Sequence, residues 1–464
     1  MGICSSDSAD GLKPNYDQDW RRPINIEYFG GDNREQLINQ LGETALGGKY
    51  SRRFSQKSLK LYAHKRFGTK RFKTSFWKEK PDVTEVKSMM LRNGGNMCNW
   101  SRIDDAFGQR LFGLHVDSLD YQAYTPVICY INGIYKGVYG LRERGNDDFV
   151  EANYGLDNSE IDESTSMISE EEPYKSFRDL YRKDGVTYEE LVQTMNIPVF
   201  INWLITESFA QNNDWPWNNI YIWRAKEDGK WSWVLKDLDR FGNVYDSDFL
   251  NYLFQENVET LSSQVNNHKL MQVLRHFPQF CHVFIDHFAV YLGDFLKPVI
   301  SRRLLEQMWS EIEDEIVPTH IAWQSDATLD YKHFKSRLEY IWNELGIRPS
   351  NFYRQLSTFF NLGIVIPVKV TQVENGSVTI NNIHLTEGNF DGAWFSSYPL
   401  NLNSGHEHLT WNMEVEYTNG ESLIYHFRQS NISLKLEEYT SNHSINSIHL
   451  FTDELSVDAS DVPD

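Results

Sequence analysis

The chain has 464 residues, of which 40% are hydrophobic and 14% aromatic. This composition supplies a large core for two or three domains and excludes a disordered or fibrous protein. The net charge of −20 argues against non-specific nucleic-acid binding, and no apolar run is long enough to suggest a membrane span. Four widely spaced cysteines predict neither a zinc site nor a disulfide framework.

The first 45 residues are polar and rich in turns. The opening six residues lack the apolar core of a signal peptide, although Gly2 and Ser6 fit the myristoylation pattern. A cloning scar or a truncated longer chain explains this start better. We expect residues 1–45 to be an N-terminal strand and loop segment that has lost its upstream part, with a strand over 24–29.

A basic stretch follows in this acidic protein. Residues 49–80 contain twelve Lys or Arg and a single acid, which suits a bound polyanion such as a nucleotide; a solvated basic strand pair fits equally. Part of the stretch alternates as a strand, with Lys57 on the face of Leu59 and Leu61 and Lys60 on the opposite face. Because a cation on an apolar face needs an anionic partner, Lys57 is the candidate anion ligand.

The next segments predict short elements that lead to a hairpin. A strand is expected over 88–92 and a helix over about 103–114, with Ser101 as its N-cap. Asn132-Gly133 lies between two alternating segments and predicts a tight β-hairpin. The acidic tract 157–172 predicts a surface loop.

The remainder of the chain is first helical and then β-rich. The apolar stretch 199–209 predicts a buried helix, and a second hairpin over 220–235 follows it. Residues 265–360 carry apolar side chains at helical spacing. From 363 to 450, Val, Ile, Thr and Tyr alternate between Asn- and Gly-containing turns, which is typical of a separate sandwich-like β-domain.

Three polar residues bracket the second hairpin. Asp214 and Asn219 are five residues apart after the buried helix, and Asp237 follows the hairpin directly. Protein kinases place a catalytic Asp, an Asn and a metal-binding Asp in this order. A carboxylate can accept the proton of a substrate hydroxyl, and oxygen ligands suit Mg²⁺. Turn caps fit the same spacing, but the order of the surrounding elements favours the kinase interpretation.

Several sequence blocks strengthen that interpretation because they occur in the order of one family. The blocks are 51–58, 91–95, 130–143, 213–219 and 231–239. Together they cover roughly residues 20–345, and on them the chain resembles the CotH family of atypical protein kinases, found in spore coats and bacterial secreted proteins.

The resemblance implies an α+β fold. We expect an atypical protein-kinase-like domain over 46–360 with two lobes, a β-rich N-lobe and a helical C-lobe. A β-sandwich-like domain over 361–452 and an acidic tail over 453–464 would follow. The implied activity is ATP- and Mg²⁺-dependent phosphorylation of Ser or Thr in coat, envelope or secreted partner proteins, and the family favours a location at the cell envelope or outside the cytoplasm.

The resemblance also implies roles in catalysis and metal binding. Asp214 would be the catalytic base, and Asn219 and Asp237 would bind the metal. Asp239 would be a further ligand or a neighbour that supports the ligands.

Other residues would contact the nucleotide. Lys57 would bind its phosphates, and Arg92 would do the same or pair with a surface acid. Asp105, rather than Asp104, matches the acidic partner of the kinase lysine, although both also suit the start of a helix. Glu143 would face the adenine or bridge to a neighbouring side chain.

Two departures from the family pattern leave an alternative open. Arg240 and a shortened turn ending at Gly242 follow Asp239, and a Gly-rich phosphate loop of the usual kinase form is missing. A catalytically inactive structural or surface protein, adhesive or carbohydrate-binding, therefore remains the second hypothesis. Tryptophans around the second hairpin fit a sugar platform, but we expect an aromatic core: Trp215, Trp217, Trp223, Trp231 and Trp233.

Overall fold

The computed structural model describes residues 6, 13–30, 33–212, 214–227, 229–241, 248–254, 265–323, 329, 331–371, 378–440 and 443–454. The lipidation pattern at residues 1–5, Asn213, the turn at Gly242 and the tail beyond residue 454 lie outside the described residues. The chain divides into two compact units. The first comprises Met1–Val244, Val258–Leu270 and Leu304–Trp342, and the second comprises Tyr245–Asn257, Met271–Arg303 and Asn343–Asp464.

The fold mixes helices and sheets, so the α+β class is confirmed. The helices are α1 (Asp104–Gly113), α2 (Asp147–Tyr154), α3 (Tyr174–Arg182), α4 (Tyr188–Thr194), α5 (Ile197–Ala210), α6 (Phe249–Phe254), α7 (Lys269–Leu274), α8 (Pro278–Gly293), α9 (Pro298–Ser310), α10 (Glu313–Ala322) and α11 (Tyr331–Phe360). Within the part of the chain that the structure describes, no helix is both long and apolar enough to cross a bilayer.

The strands that the structure describes in the first unit form three sheets. They are β1 (Arg22–Gly30), β2 (Glu35–Leu46), β3 (Leu59–Tyr62), β4 (Phe72–Lys73), β5 (Glu85–Val86), β6 (Ser88–Arg92), β7 (Tyr124–Ile131), β8 (Ile134–Arg142), β9 (Ile161–Ser164), β10 (Ile222–Ala225) and β11 (Ser232–Trp233). The largest sheet has the order β1-β2-β3-β6-β8-β7, and β11-β10-β9 form a smaller one. The predicted strands at 24–29 and 88–92 and both hairpins are confirmed.

The six-stranded sheet has an apolar face and a cationic face. Leu59 and Leu61 of β3 are buried in a core cluster. Lys60 lies between them in sequence and therefore points to the other face. In the antiparallel register Lys60 is opposite Met90, and Met90 is opposite Arg142. This second face, which also carries Arg92 two residues after Met90, is called the cationic face below.

Two local predictions are wrong. The acidic tract 157–172 contains β9, which gains its strand conformation by pairing with β10 and has its Ile161 buried. Ser101 does not cap α1. The N-cap residue is Ile103, which makes no side-chain cap, and the hydroxyl of Ser101 donates to the carboxylate of Asp104 instead.

The helix before the predicted site is buried on all sides, as expected. The side chain of Asn196 caps α5 by accepting a hydrogen bond from Val199 N. At its other end Gln211 has a φ of 51°, a left-handed conformation that ends the helix. The aromatic core is confirmed for four of the five tryptophans around the second hairpin, whereas Trp217 is 38% exposed.

The second unit contains helices and the β-rich C-terminal region. Its strands are β12 (Val365–Thr371), β13 (Thr379–Ile380), β14 (Ile383–His384), β15 (Phe390–Phe395), β16 (Leu400–Asn403), β17 (Leu409–Tyr417), β18 (Ser422–Phe427), β19 (Asn431–Leu434) and β20 (Ile445–Glu454). They form sheets of order β15-β12-β20-β17-β18 and β14-β13-β16-β19. The prediction of a β-rich segment after residue 363 is therefore confirmed.

Candidate functional site

Arg92 brings three carboxylates together on the cationic face. Its Nη2 lies 2.5 Å from Asp237 Oδ1 and 2.7 Å from Asp239 Oδ1, and its Nε lies 3.5 Å from Asp105 Oδ2. Burial lowers the pKa of Arg92, but the three carboxylates outweigh burial and raise it well above its usual value. The guanidinium is therefore held charged, and four of the predicted site residues form one cluster.

Asp105 is the most firmly held carboxylate of this cluster. It accepts hydrogen bonds from Arg142 Nη1 (2.7 Å), Gln109 Nε2 (2.7 Å) and the backbone N–H of Leu238 (2.8 Å). Although burial raises the pKa of Asp105, Arg142 and Arg92 outweigh that effect and lower it to about 2. Asp105 therefore stays ionised and ties α1 to the segment that carries Asp237.

Asp239 lies in a tighter environment. Its Oδ2 accepts a hydrogen bond from the backbone N–H of Asn96 at 2.8 Å. A Cβ at Gly95 would lie 2.1 Å from the same oxygen, so only glycine lets the backbone approach this closely. Burial raises the pKa of Asp239 well above its usual value against the opposing effect of Arg92, and the neighbouring Asp237 and Asp105 add to the rise.

The predicted trio also converges. Asn219 Nδ2 lies 3.5 Å from Asp214 Oδ2 and 3.5 Å from the carbonyl oxygen of Asp237. Asp214 and Asn219 are half-buried, so solvent reaches them. Asn219 and Asp237 have φ values of 62° and 59°. Such backbone conformations are costly for residues other than glycine and persist where surrounding contacts enforce them, often at functional sites.

Lys57 uses its ammonium differently from the expectation. The residue is buried just before β3, and its Nζ donates to the carbonyl oxygens of Arg52 (2.6 Å) and Phe54 (2.5 Å). The ammonium also lies 4.6 Å from the ring centre of Tyr16. These acceptors are neutral groups that hold the turn before the strand. A role of Lys57 toward phosphates stays a prediction.

Glu143 bridges to a lysine that sequence reasoning missed. Its Oε2 accepts hydrogen bonds from Lys80 Nζ (2.7 Å) and the backbone N–H of Ala123 (2.9 Å), and its Oε1 accepts one from Asn153 Nδ2 (2.7 Å). Lys80 Nζ also donates to the carbonyl oxygen of Tyr121 at 2.7 Å. Lys80 lies in a connecting segment between β4 and β5, and the only sequence signal for it was the basic stretch itself.

Asp104, the less favoured of the two helix acids, pairs with a distant arginine. Its Oδ2 accepts hydrogen bonds from Arg337 Nε (2.9 Å) and Nη2 (2.7 Å). Burial raises the pKa of Asp104 to about 6, although the positive charge of Arg337 acts to lower it. Arg337 Nη2 also donates to the carbonyl oxygen of Phe241 (2.7 Å), so this pair braces the chain just after Asp239.

Lys60 is a second candidate ligand that the sequence analysis passed over in favour of Lys57. It is half-buried on the cationic face, and no hydrogen bond or ion pair joins it to another described residue. Arg144 and Arg21 lie over the ring of Tyr62, two residues further along β3, at 5.0 and 4.0 Å. Burial lowers the pKa of Lys60, and the positive charges of Arg144 and Arg52 lower it further. Lys60 is thus a cation in a cationic neighbourhood.

The donor groups of this site fit a divalent cation. Asp237, Asp239 and Asn219 offer oxygen ligands, which Mg²⁺ prefers. One guanidinium already bridges Asp237 and Asp239, so their spacing suits a shared cation.

Among the described residues, no group of three or more His, Cys, Asp or Glu side chains is arranged to hold a metal ion. This finding does not conflict with the fit, because Mg²⁺ commonly binds proteins through one or two carboxylates together with substrate phosphates.

Comparison with known proteins identifies the family of this chain. The family model described as CotH kinase protein matches residues 45–351, about two thirds of the chain. No match was found among curated proteins. The matched segment contains all the residues of the carboxylate cluster and the trio, and the chain belongs to the CotH kinase family.

Proposed function

We propose that this chain is an ATP- and Mg²⁺-dependent protein kinase with a two-lobed, kinase-like domain. Its substrates would be Ser or Thr residues of coat, envelope or secreted proteins. The observation that carries the proposal is the convergence of Asp214, Asn219 and Asp237, joined through the amide of Asn219. Family membership supports the same class of reaction.

Each group would then have a distinct task. Asp214, half-buried and open to solvent, would accept the proton of the substrate hydroxyl. Asn219 and Asp237 would hold the metal, with Asp239 beside them. A bound Mg²⁺ would neutralise charge on the nucleotide phosphates.

The cationic face would bind the phosphates. Arg92 would contact them while Asp105 holds its guanidinium in place. We assign the lysine contact to the phosphates to Lys60 in place of Lys57, because Lys60 shares the face of Arg92 whereas the ammonium of Lys57 donates to two backbone carbonyl oxygens. Both oxygens of Glu143 accept hydrogen bonds from neighbouring groups, so its proposed task is to hold Lys80 rather than to read the adenine.

A second candidate is a catalytically inactive scaffold. The observation that favours it is the guanidinium of Arg92, which already neutralises Asp237 and Asp239 at 2.5 and 2.7 Å. A protein that needs no metal could keep these carboxylates satisfied in this way. In that case the β-rich second unit would carry the surface function.

The test is phosphate transfer from radiolabelled ATP with Mg²⁺, with the protein alone and with coat or surface proteins as acceptors. Asp237→Asn should lower labelling by about 100- to 1,000-fold, because removing a group that stabilises the transition state has an effect of this size. The matched control is Asp179→Asn, an exposed carboxylate of α3 in the same unit, which should label like the parent.

Three outcomes separate the candidates. Labelling that survives Asp237→Asn contradicts the assigned site. A protein that never transfers phosphate but whose Tm rises with ATP and Mg²⁺ binds the nucleotide without catalysis, which contradicts the kinase proposal. No transfer and no shift of Tm leaves the scaffold as the function.

A further inference from the structure

Asn212 links the two segments that carry the proposed catalytic residues. It is fully buried at the end of α5, and its Oδ1 accepts a hydrogen bond from the backbone N–H of Asp214 at 3.3 Å. Its Nδ2 lies 3.4 Å from the carbonyl oxygen of Asp237. One amide therefore contacts the backbone of both aspartates.

The Asp237 peptide is held from both sides. Its carbonyl oxygen faces the amide nitrogens of Asn212 and Asn219, at 3.4 and 3.5 Å. The next backbone N–H, that of Leu238, donates to Asp105 at 2.8 Å. Asp237 has a φ of 59°, a left-handed conformation that persists only where surrounding contacts hold it. These hydrogen bonds are the contacts that hold it. Without them the chain would relax and the carboxylate of Asp237 would turn.

Glu207 fixes the orientation of the Asn212 amide. Its Oε2 accepts a hydrogen bond from Asn212 Nδ2 at 2.9 Å, which determines which end of the amide faces Asp237. Glu207 is fully buried, and its Oε1 has no hydrogen-bond partner among the described groups. Burial raises the pKa of Glu207 well above its usual value, and the charges of Asp105 and Asp237 add to this despite the hydrogen bond from Asn212. The carboxyl is thus a buried acceptor that the amide of Asn212 contacts.

We propose that Asn212 is a positioning residue that fixes Asp237 relative to Asp214, and that Glu207 is its anchor. The inference rests on the proposed kinase function for its catalytic consequence, but not for its structural one. Neither side chain touches the substrate in this scheme. Their effect passes entirely through the two backbone segments.

The test compares four single variants of the full chain. Asn212→Ala removes both contacts, and Glu207→Leu removes the anchor. Glu207→Gln keeps a side-chain acceptor oxygen of nearly the same shape. Ser208→Ala is the matched control, because Ser208 is also fully buried in α5 and its hydroxyl donates only within the helix, to the carbonyl oxygen of Leu204 at 2.7 Å.

The expected kinetic result is a split between kcat and KM. Asn212→Ala and Glu207→Leu should lower kcat about 100-fold, the usual effect of a small misplacement of a reacting group, with KM for ATP within about threefold. Glu207→Gln and Ser208→Ala should keep kcat within about threefold. Equal kcat in all four variants, or a loss in Glu207→Gln as large as in Glu207→Leu, overturns the proposal.

A second measurement does not depend on activity. Hydrogen–deuterium exchange of the peptide covering residues 234–241 should be faster in Asn212→Ala and Glu207→Leu, and unchanged in the other two. Unchanged exchange in Asn212→Ala contradicts the positioning role of Asn212, whether or not the protein transfers phosphate. Faster exchange in a chain without kinase activity would instead support that positioning role and contradict only the proposed function.

Discussion

One face of the six-stranded sheet packs Leu59, Leu61 and their neighbours into an apolar core, whereas the other presents Lys60, Arg92 and Arg142. The two faces are made by alternate residues of the same short strands. The apolar face is stabilised by burial, which depends on shape and area. The cationic face is stabilised by pairing charges, which fails abruptly when one partner is lost. This difference predicts how substitutions on the two faces should behave.

The largest effect is expected for Arg92→Met. It leaves the carboxylates of Asp105, Asp237 and Asp239 close together without their shared guanidinium, and breaking a buried charge pair in this way costs about 3–5 kcal/mol. Denaturant unfolding measures the loss. Adding Asp239→Asn to Arg92→Met should restore part of the stability, because it removes one of the carboxyl groups left without the guanidinium.

Arg224→Met is the control for that experiment. Arg224 pairs with Asp162 at 3.0 Å, but its side chain is 30% exposed, so the loss should stay below about 1 kcal/mol. If Arg92→Met destabilises the protein no more than Arg224→Met, the carboxylate cluster does not depend on Arg92, and the contrast between the faces is wrong.

Leu61→Ala tests the other face and should have the next largest effect. Leu61 is only 4% exposed in the core cluster, and truncating a buried leucine costs about 3 kcal/mol. Since its side chain points away from the cationic face, the Kd for ATP should not change in the folded protein. Calorimetry of unfolding and of ATP binding on the same sample would separate the two quantities. A higher Kd for ATP in Leu61→Ala would mean that packing on the apolar face affects ligand binding on the cationic face.

The same contrast explains what sequence alone could and could not predict. The strands, the hairpin at Asn132-Gly133 and the buried helix follow from local periodicity and turn chemistry, which need no knowledge of distant contacts. The spacing of Asp214, Asn219 and Asp237 was also visible. The strand that pairs with β10 was missed because a short acidic segment gains its strand conformation from its neighbour.

Partners that lie far apart in sequence were out of reach. Lys80 and Glu143 are 63 residues apart, and nothing local connects them. For Lys57, the alternation of β3 was extended two residues too far, so a residue that closes a turn was assigned to a strand face. The face that meets the carboxylates is decided by the register of β3, β6 and β8, which is a tertiary property.

The smallest effect, and the sharpest comparison, is between Lys60→Met and Lys57→Met. Lys60 shares the face of Arg92 and makes no ion pair with another described residue, so its ammonium is available to an anion. Losing one charged contact to a phosphate should cost about 1.5 kcal/mol of binding free energy, which raises the Kd for ATP roughly tenfold with little change in Tm.

Lys57 donates to two backbone carbonyl oxygens, at 2.6 and 2.5 Å, so Lys57→Met should lower Tm while the folded protein keeps its Kd for ATP. Titration calorimetry with ATP and Mg²⁺, together with thermal unfolding, measures both. If Lys57→Met instead weakens ATP binding and Lys60→Met only lowers Tm, Lys57 is the phosphate contact. The alternation of residues in the sequence would then identify the ligand, and the face of the folded sheet would not.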